Sequence, residues 1–183
     1  FPRWNRRGND FCDFGPRSPP ELVGAVDAST EWGAGGWLFH GGALFGDLHP
    51  WSADERAAAF VSTRESTGVF EALGAHWWLS RFGYRATGRR LLLMLDNEAV
   101  VRALLSGYSP RPALMVQIRA IRALCVSFCI VLRCRHILGV PFNTVADLLS
   151  HDRWSEAECQ ALPLFGTQLR LLPITGSASP TLV

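Results

Sequence analysis

Apolar residues recur along the first part of the chain in short continuous runs. One run over 22–26 ends at Asp27, lies between Pro20 and a Ser-Thr turn, and predicts a buried strand. Two further apolar triplets, 37–39 and 43–45, are separated by His-Gly-Gly and predict a hairpin. Three strands in series predict an antiparallel meander at the start of the fold.

The rest of the chain alternates between helical and strand patterns. Four segments are predicted as helices: 64–82 with Gly83 as its stop, 98–105 with Asn97 as its N-cap, 113–126 and 143–150. Two continuous apolar runs predict strands over 91–95 and 127–134. A meander followed by alternating helices and strands is typical of an α/β fold with a mixed sheet. The pattern has room for five strands with helices on both faces.

The length of 183 residues suits one well-buried domain with additional segments at its ends. We predict an N-terminal arm or linker over 1–21, one domain over 22–152 and a C-terminal tail over 153–183. The arm has no helical or strand period. The residues after Pro163 include a Gly-Ser-Ala-Ser-Pro stretch, which predicts an irregular tail.

Composition excludes several classes of protein. The chain is 48% hydrophobic and 19% charged, which is typical of a globular domain and not of a disordered one. A formal net charge of +2 gives no overall basic field, so any nucleic-acid binding needs a local surface. Five cysteines without a C-x-x-C pair favour a reducing, intracellular compartment, either cytoplasmic or nuclear. No apolar run of about 18 residues and no signal peptide is present, so we predict no membrane partner.

Three aspartates lie at or beside the ends of predicted elements. Asp27 ends the first strand, Asp96 ends the fourth, and Asp147 lies within the last helix. A crossover that contains a helix favours parallel pairing of the first and fourth strands, which would bring Asp27 and Asp96 to the same edge of the sheet. Clustered carboxylates raise their own pKa values unless cations neutralise them. The set therefore predicts two hard divalent ions, Mg²⁺ or Mn²⁺, as used for phosphodiester cleavage.

Four short motifs follow one another between about residues 22 and 152. In chain order they are Val26-Asp27-Ala28-Ser29 with Trp32-Gly33-Ala34, Ser62-Thr63-Arg64-Glu65, Leu95-Asp96-Asn97, and His136-Ile137-x-Gly139-x-x-Asn143-x-x-Ala146-Asp147-x-Leu149-Ser150. The ordered set resembles the ribonuclease H domain of retrotransposon reverse transcriptase polyproteins. Its last motif is most similar to that of the DIRS-like group, whose elements carry a tyrosine recombinase.

The resemblance implies a ribonuclease H-like fold and a metal-dependent endonuclease that hydrolyses the RNA strand of RNA–DNA hybrids. The implied partners are the hybrid and the reverse transcriptase domain of the same polyprotein. A first residue other than methionine agrees with a fragment of such a polyprotein.

The resemblance also implies four catalytic, metal-binding carboxylates: Asp27, Glu65, Asp96 and Asp147. Glu65 enters this set by the resemblance alone. Glu71 is the competing candidate for the helical glutamate. It lies about 240° around the helix from Glu65 and fits the family spacing less well.

The chain departs from the family at several positions. Val140 lies where cellular enzymes have a mobile histidine, so we interpret His136 as a structural residue of the last strand. His151 replaces the arginine that ends the family's last motif. No basic handle lies between Leu105 and Ala113, which predicts modest affinity for a free hybrid. Four arginines on or directly beside predicted helices are candidates for phosphate contacts or for a solvated face: Arg102, Arg111, Arg119 and Arg122.

Two other functions share the predicted fold. The first is a non-catalytic ribonuclease H-like module that binds nucleic acid or serves as a scaffold. Intact acids at all four positions argue against it. The second is a transposase or integrase core, which the A-D-x-L-S ending and the glutamate in the first helix disfavour.

Overall fold

The computed structural model describes residues 19–60, 66–139 and 143–172. The strands are β1 (Leu22–Ala28), β2 (Gly33–His40), β3 (Ala43–Pro50), β4 (Arg90–Leu95), β5 (Val131–His136) and β6 (Leu169–Leu171). The α-helices are α1 (Ala53–Ala59), α2 (Ser66–Phe82), α3 (Glu98–Ser106), α4 (Pro112–Ser127), α5 (Thr144–Ser150) and α6 (Trp154–Phe165). A short 3₁₀ turn, Gly83–Ala86, follows α2. No described helix is long and apolar enough to cross a bilayer.

The strands form one mixed sheet in the order β5-β4-β1-β2-β3-β6. β1, β2 and β3 form the predicted antiparallel meander. β4 pairs in parallel with β1, and β5 pairs in parallel with β4. The prediction of an α/β fold with a mixed sheet is therefore confirmed. The predicted number of five strands was too low by one, because β6 pairs in parallel with β3.

The two faces of the sheet carry separate hydrophobic cores, because successive side chains of a strand point to opposite faces. On one face, Leu91, Leu93 and Leu95 of β4 belong to a large cluster with α2, α3 and α4. On the other face, Trp37 of β2 belongs to a smaller cluster with α5 and α6. Helices therefore cover both faces, as predicted.

Two glycines allow unusually close packing on the sheet. An added Cβ at Gly24 would overlap the indole of Trp78, a fully buried residue of α2. An added Cβ at Gly35 would overlap the main-chain nitrogen of Ser150 at the end of α5. The backbone of α5 therefore lies directly against β2, and the indole of Trp78 from α2 lies directly against β1. This places acidic residues of α2 and α5 near the end of β1.

The helix ends follow local sequence signals. The side chain of Asn97 accepts a hydrogen bond of 3.2 Å from the Val100 amide, which confirms it as the N-cap of α3. α3 ends at Gly107, which has a φ of +71° and a left-handed conformation. α2 ends at Phe82, directly before Gly83, as predicted.

The prediction of an irregular segment directly after Pro163 was wrong. Helix α6 continues through Pro163 to Phe165, and β6 then joins the sheet. Packing explains the difference, since the ring of Phe165 lies edge-on to Trp37 at 4.7 Å between centroids and Leu169 is buried. Residues 1–18 of the predicted arm and 173–183 of the predicted tail lie outside the described residues.

Candidate active site

The parallel pairing of β1 and β4 brings two aspartates to one edge of the sheet. Asp27 lies at the penultimate position of β1, and Asp96 directly follows β4. Carboxylate oxygens of the two residues lie within 4.8 Å of each other. The prediction that these aspartates share an edge is confirmed. Asp27 is the more enclosed of the two, with 7% of its surface exposed.

A glutamate of α2 joins this pair. One carboxylate oxygen each from Asp27, Glu71 and Asp96 lies within 4.8 Å of the other two. Glu71 is only 5% exposed, and its Oε2 has no hydrogen-bond partner. Glu65, the glutamate implied by the resemblance, lies outside the described residues. The structure therefore brings the competing candidate Glu71 to the aspartates.

The sequence contained a signal for Glu71. Positions 71, 74, 75 and 78 lie on one face of a helix, and the last three are glycine, alanine and tryptophan. All four residues are buried against the sheet side of α2. A charged residue within a core-facing stripe is unusual unless it is paired or binds a metal. The spacing of the ribonuclease H motifs instead favoured Glu65.

The last predicted aspartate belongs to a second group around Asp27. Carboxylate oxygens of Asp27 and Asp147 and one ring nitrogen of His151 lie within 4.8 Å of one another. Asp147 and His151 are one turn apart at the end of α5, and both are about two-fifths exposed. Asp27 is common to both groups. The structure thus brings together all three aspartates that the sequence singled out.

Two polar residues of the last motif orient the carboxylate of Asp27. The hydroxyl of Ser150 donates to Asp27 Oδ2 at 2.7 Å. The amide of Asn143 donates to Asp27 Oδ1 at 3.4 Å and contacts the main-chain oxygen of Val26 at the same distance. Both residues are about 1% exposed. Both residues belong to the last motif of the sequence, whose spacing did not predict this role.

The clustering changes the pKa values of these acids. Burial raises the pKa of Asp27 from 3.8 to about 6; the charges of Asp96 and Asp147 add to this, and the Ser150 hydrogen bond acts in the opposite direction. Burial, together with the charges of Asp27 and Asp96, raises the pKa of Glu71 well above its usual value. The pKa of Asp96 is also raised, mainly by burial and further by Asp147.

The donor set fits divalent cations. Carboxylate oxygens are hard ligands of the kind that Mg²⁺ and Mn²⁺ prefer. The unpartnered Oε2 of Glu71 lacks the hydrogen bond that a buried carboxylate oxygen normally has. A cation between the acids would satisfy this oxygen and remove the repulsion that raises the pKa values. Asp27, Glu71 and Asp96 would hold one cation, and Asp27 and Asp147 would hold another.

We predict that Asp27 makes the metal-free protein less stable as the pH rises. A raised pKa means that the folded state binds the proton more tightly, so stability is full below about pH 4 and is lost as the pH approaches 6. The pKa shift corresponds to about 3 kcal/mol of unfolding free energy. Urea unfolding in a chelator at pH 4 to 7 should show this decline in wild type, relative to Asp27→Asn.

The Asp27→Asn variant removes this ionisation and also removes the charge of Asp27 that helps to raise the pKa of Glu71. The unfolding free energy of the variant, relative to that of wild type, should increase from pH 4 to pH 6 and then level off. If the unfolding free energies of the two proteins changed in parallel over this pH range, burial of Asp27 would not raise its pKa.

Three other candidate side chains have structural partners. His136 lies at the end of β5, and its Nε2 is 3.0 Å from the main-chain oxygen of Asp96. The guanidinium of Arg122 lies against Gly107, the residue that ends α3. Arg102 forms an ion pair with Glu98, at 2.6 Å, on the exposed face of α3. Arg102 also lines an open cleft of about 680 Å³ between α3 and the start of α4.

Comparison with solved structures identifies the fold. A ribonuclease H1 from the halophilic archaeon Halobacterium salinarum aligns with a TM-score of 0.52 and 15% identity, covering 74% of this chain and 96% of that one. The N-terminal ribonuclease H domain of a Mycobacterium tuberculosis protein aligns with a TM-score of 0.50 and 15% identity, covering 78% of this chain and 99% of that one. The fold is therefore ribonuclease H-like.

Comparisons of sequence alone add no relative. A scan against models of protein families gives no match. A search of curated proteins gives no significant match. Any statement about activity therefore depends on the residues of the site.

Proposed function

We propose that the chain is a ribonuclease H that uses two divalent cations, Mg²⁺ or Mn²⁺, to hydrolyse the RNA strand of RNA–DNA hybrids. The observation that carries the proposal is the convergence of four carboxylates around the end of β1 in a ribonuclease H-like fold. The proposed metal-binding and catalytic residues are Asp27, Glu71, Asp96 and Asp147. Glu71 takes the place that the sequence resemblance assigned to Glu65, because its carboxylate lies beside both Asp27 and Asp96.

The residues of the site have two roles, binding the cations and orienting a carboxylate. Asp27 belongs to both groups and would help to hold each of the two cations. Ser150 and Asn143 each contact one oxygen of its carboxylate and hold it in that orientation. When bound, the cations would neutralise charge on the scissile phosphate and lower the pKa of an attacking water.

The surroundings of the two groups differ. Glu71 is almost fully enclosed beneath the sheet edge, whereas Asp147 is about two-fifths exposed. A phosphodiester would therefore approach from the side of α5 and the exposed part of Asp96. The buried side excludes water from Glu71, which strengthens its interaction with a cation.

The preference for a hybrid is inferred from the resemblance of the ordered motifs to ribonuclease H domains, and the ribonuclease H-like fold agrees with it. An A-like hybrid has a wide, shallow minor groove that displays 2′-hydroxyls, which polar groups beside the site would contact.

We also propose that the domain belongs to a DIRS-like retroelement and works beside its reverse transcriptase, in the cytoplasm or the nucleus. The ordered motifs over residues 22–152 support this context.

A cleavage assay tests the proposal. We expect the full chain with Mg²⁺ or Mn²⁺ to cut the RNA strand of an RNA–DNA hybrid, and to leave double-stranded RNA and double-stranded DNA intact. A chelator should abolish cutting. A folded protein that binds the hybrid but never cuts it would instead support the non-catalytic module. Cutting of double-stranded DNA would favour a transposase-like nuclease.

A further inference from the structure

The group formed by Asp27, Asp147 and His151 contains a ring nitrogen beside its two carboxylates. One ring nitrogen of His151 lies within 4.8 Å of carboxylate oxygens of Asp27 and Asp147. Ligands around one six-coordinate cation at about 2.1 Å lie about 3 Å apart when adjacent. Small side-chain rotations would therefore bring all three groups onto one ion. His151 is two-fifths exposed, so its ring has room to turn.

The contacts of the imidazole show where one of its two nitrogens lies. Its Nδ1 lies 2.9 Å from the main-chain oxygen of Asp147, one helical turn earlier, and 3.1 Å from the hydroxyl of Ser150. A histidine that binds a metal through one nitrogen commonly donates its other N–H to a main-chain carbonyl, which sets the tautomer. Nδ1 also lies 3.8 Å from Asp147 Oδ1, so the exposed ring would have to turn to present the lone pair of Nε2 to a cation while Nδ1 keeps its proton.

Two further observations point to a ligand at this place. Asn143 is 1% exposed and donates to Asp27, yet its Oδ1 has no hydrogen-bond partner. Glu71 shares Asp27 with this group and also has an unpartnered buried oxygen. Buried acceptors without partners are rare in folded proteins, and a bound cation with its waters would satisfy them.

We propose that His151 supplies a ring nitrogen to the cation held by Asp27 and Asp147, and that this ligand makes the site prefer Mn²⁺ over Mg²⁺. The inference rests on the proposed function, because it concerns one of the two cations of that site. Imidazole suits transition metals, whereas Mg²⁺ takes oxygen ligands and keeps its waters. An all-carboxylate site would lack this source of discrimination.

The test measures metal coordination directly. Full-length protein loaded with Mn²⁺ is examined by pulsed electron paramagnetic resonance, which detects nitrogen bonded to the ion. We expect a nitrogen signal in wild type, its loss in His151→Gln, and its retention in His136→Gln. His136 is the matched control, because it contacts the main chain of Asp96 near the other group of acids.

Calorimetry provides the second readout. The ratio of Mn²⁺ to Mg²⁺ affinity should fall by about tenfold in His151→Gln and stay unchanged in His136→Gln. A second variant, His151→Asn, should behave like His151→Gln. Circular dichroism would check that both variants remain folded, as expected for an exposed position.

The outcomes separate this inference from the proposed function. Mn²⁺ that binds without a nitrogen signal, or a signal lost in His136→Gln and kept in His151→Gln, would overturn the role of His151. Either result would leave hybrid cleavage untouched. A nitrogen signal in a protein that cuts no hybrid would keep the metal ligand and reject the nuclease. Failure to bind Mn²⁺ at all would overturn both.

Discussion

Replacing Asp96 with asparagine is expected to reduce hybrid cleavage by on the order of 1000-fold. The amide keeps the size of the side chain and much of its hydrogen bonding, but it removes a negative charge beside Asp27 and Glu71. Without that charge the cations bind weakly or in the wrong place, and the phosphate loses its positive partners. Single-turnover cleavage of an RNA–DNA hybrid in Mg²⁺ measures the effect.

Glu98→Gln is the matched control for Asp96→Asn. Glu98 lies two residues away, is exposed, and pairs with Arg102 on the surface of α3. Its replacement removes the same charge from the same region, and cleavage should stay within a few-fold of wild type. Hybrid binding in a chelator should survive in Asp96→Asn or improve slightly, because one group that repels phosphates is gone. Wild-type turnover in Asp96→Asn would show that the site assignment is wrong.

Replacing Glu71 with glutamine is expected to reduce cleavage by a similar factor and, at high pH, to stabilise the metal-free protein. The carboxyl is almost fully buried beside two other acids, so its pKa is well above the usual value. Wild type must ionise this group as the pH rises and loses stability in doing so, whereas glutamine has no proton to lose. Urea unfolding in a chelator should therefore show the variant gaining on wild type as the pH increases.

Glu65→Gln is the corresponding control, and it decides between the two glutamates. We expect cleavage by this variant to stay within a few-fold of wild type. The sequence resemblance predicts the opposite pair of results, with Glu71→Gln active and Glu65→Gln inactive. If that pair were observed, Glu65 would be the metal ligand and the proximity of Glu71 to the aspartates would have no catalytic role.

Local sequence patterns were sufficient to predict most of the secondary structure. Continuous apolar runs identified β1 and β4, and the helical spacing of apolar residues identified α3, all close to their observed bounds. Asn97 and Gly107 mark the ends of α3 by interactions within one helical turn. The edge shared by Asp27 and Asp96 followed from the parallel pairing that a helical crossover favours. These features were predicted without information on how the elements pack together.

Only the tertiary structure decided which groups surround Asp27. The position of Glu71 depends on how α2 is seated on the sheet, which Trp78 and Gly24 determine by direct contact between distant segments. The roles of Ser150 and Asn143 likewise require α5 to lie against β2 at Gly35. β6 forms because Leu169 packs on the far end of the sheet, not because three residues carry a strand period. A periodic pattern of apolar residues indicates which face of an element is buried. Distances between carboxylates depend instead on how whole elements are aligned against each other. That alignment exists only in the folded chain.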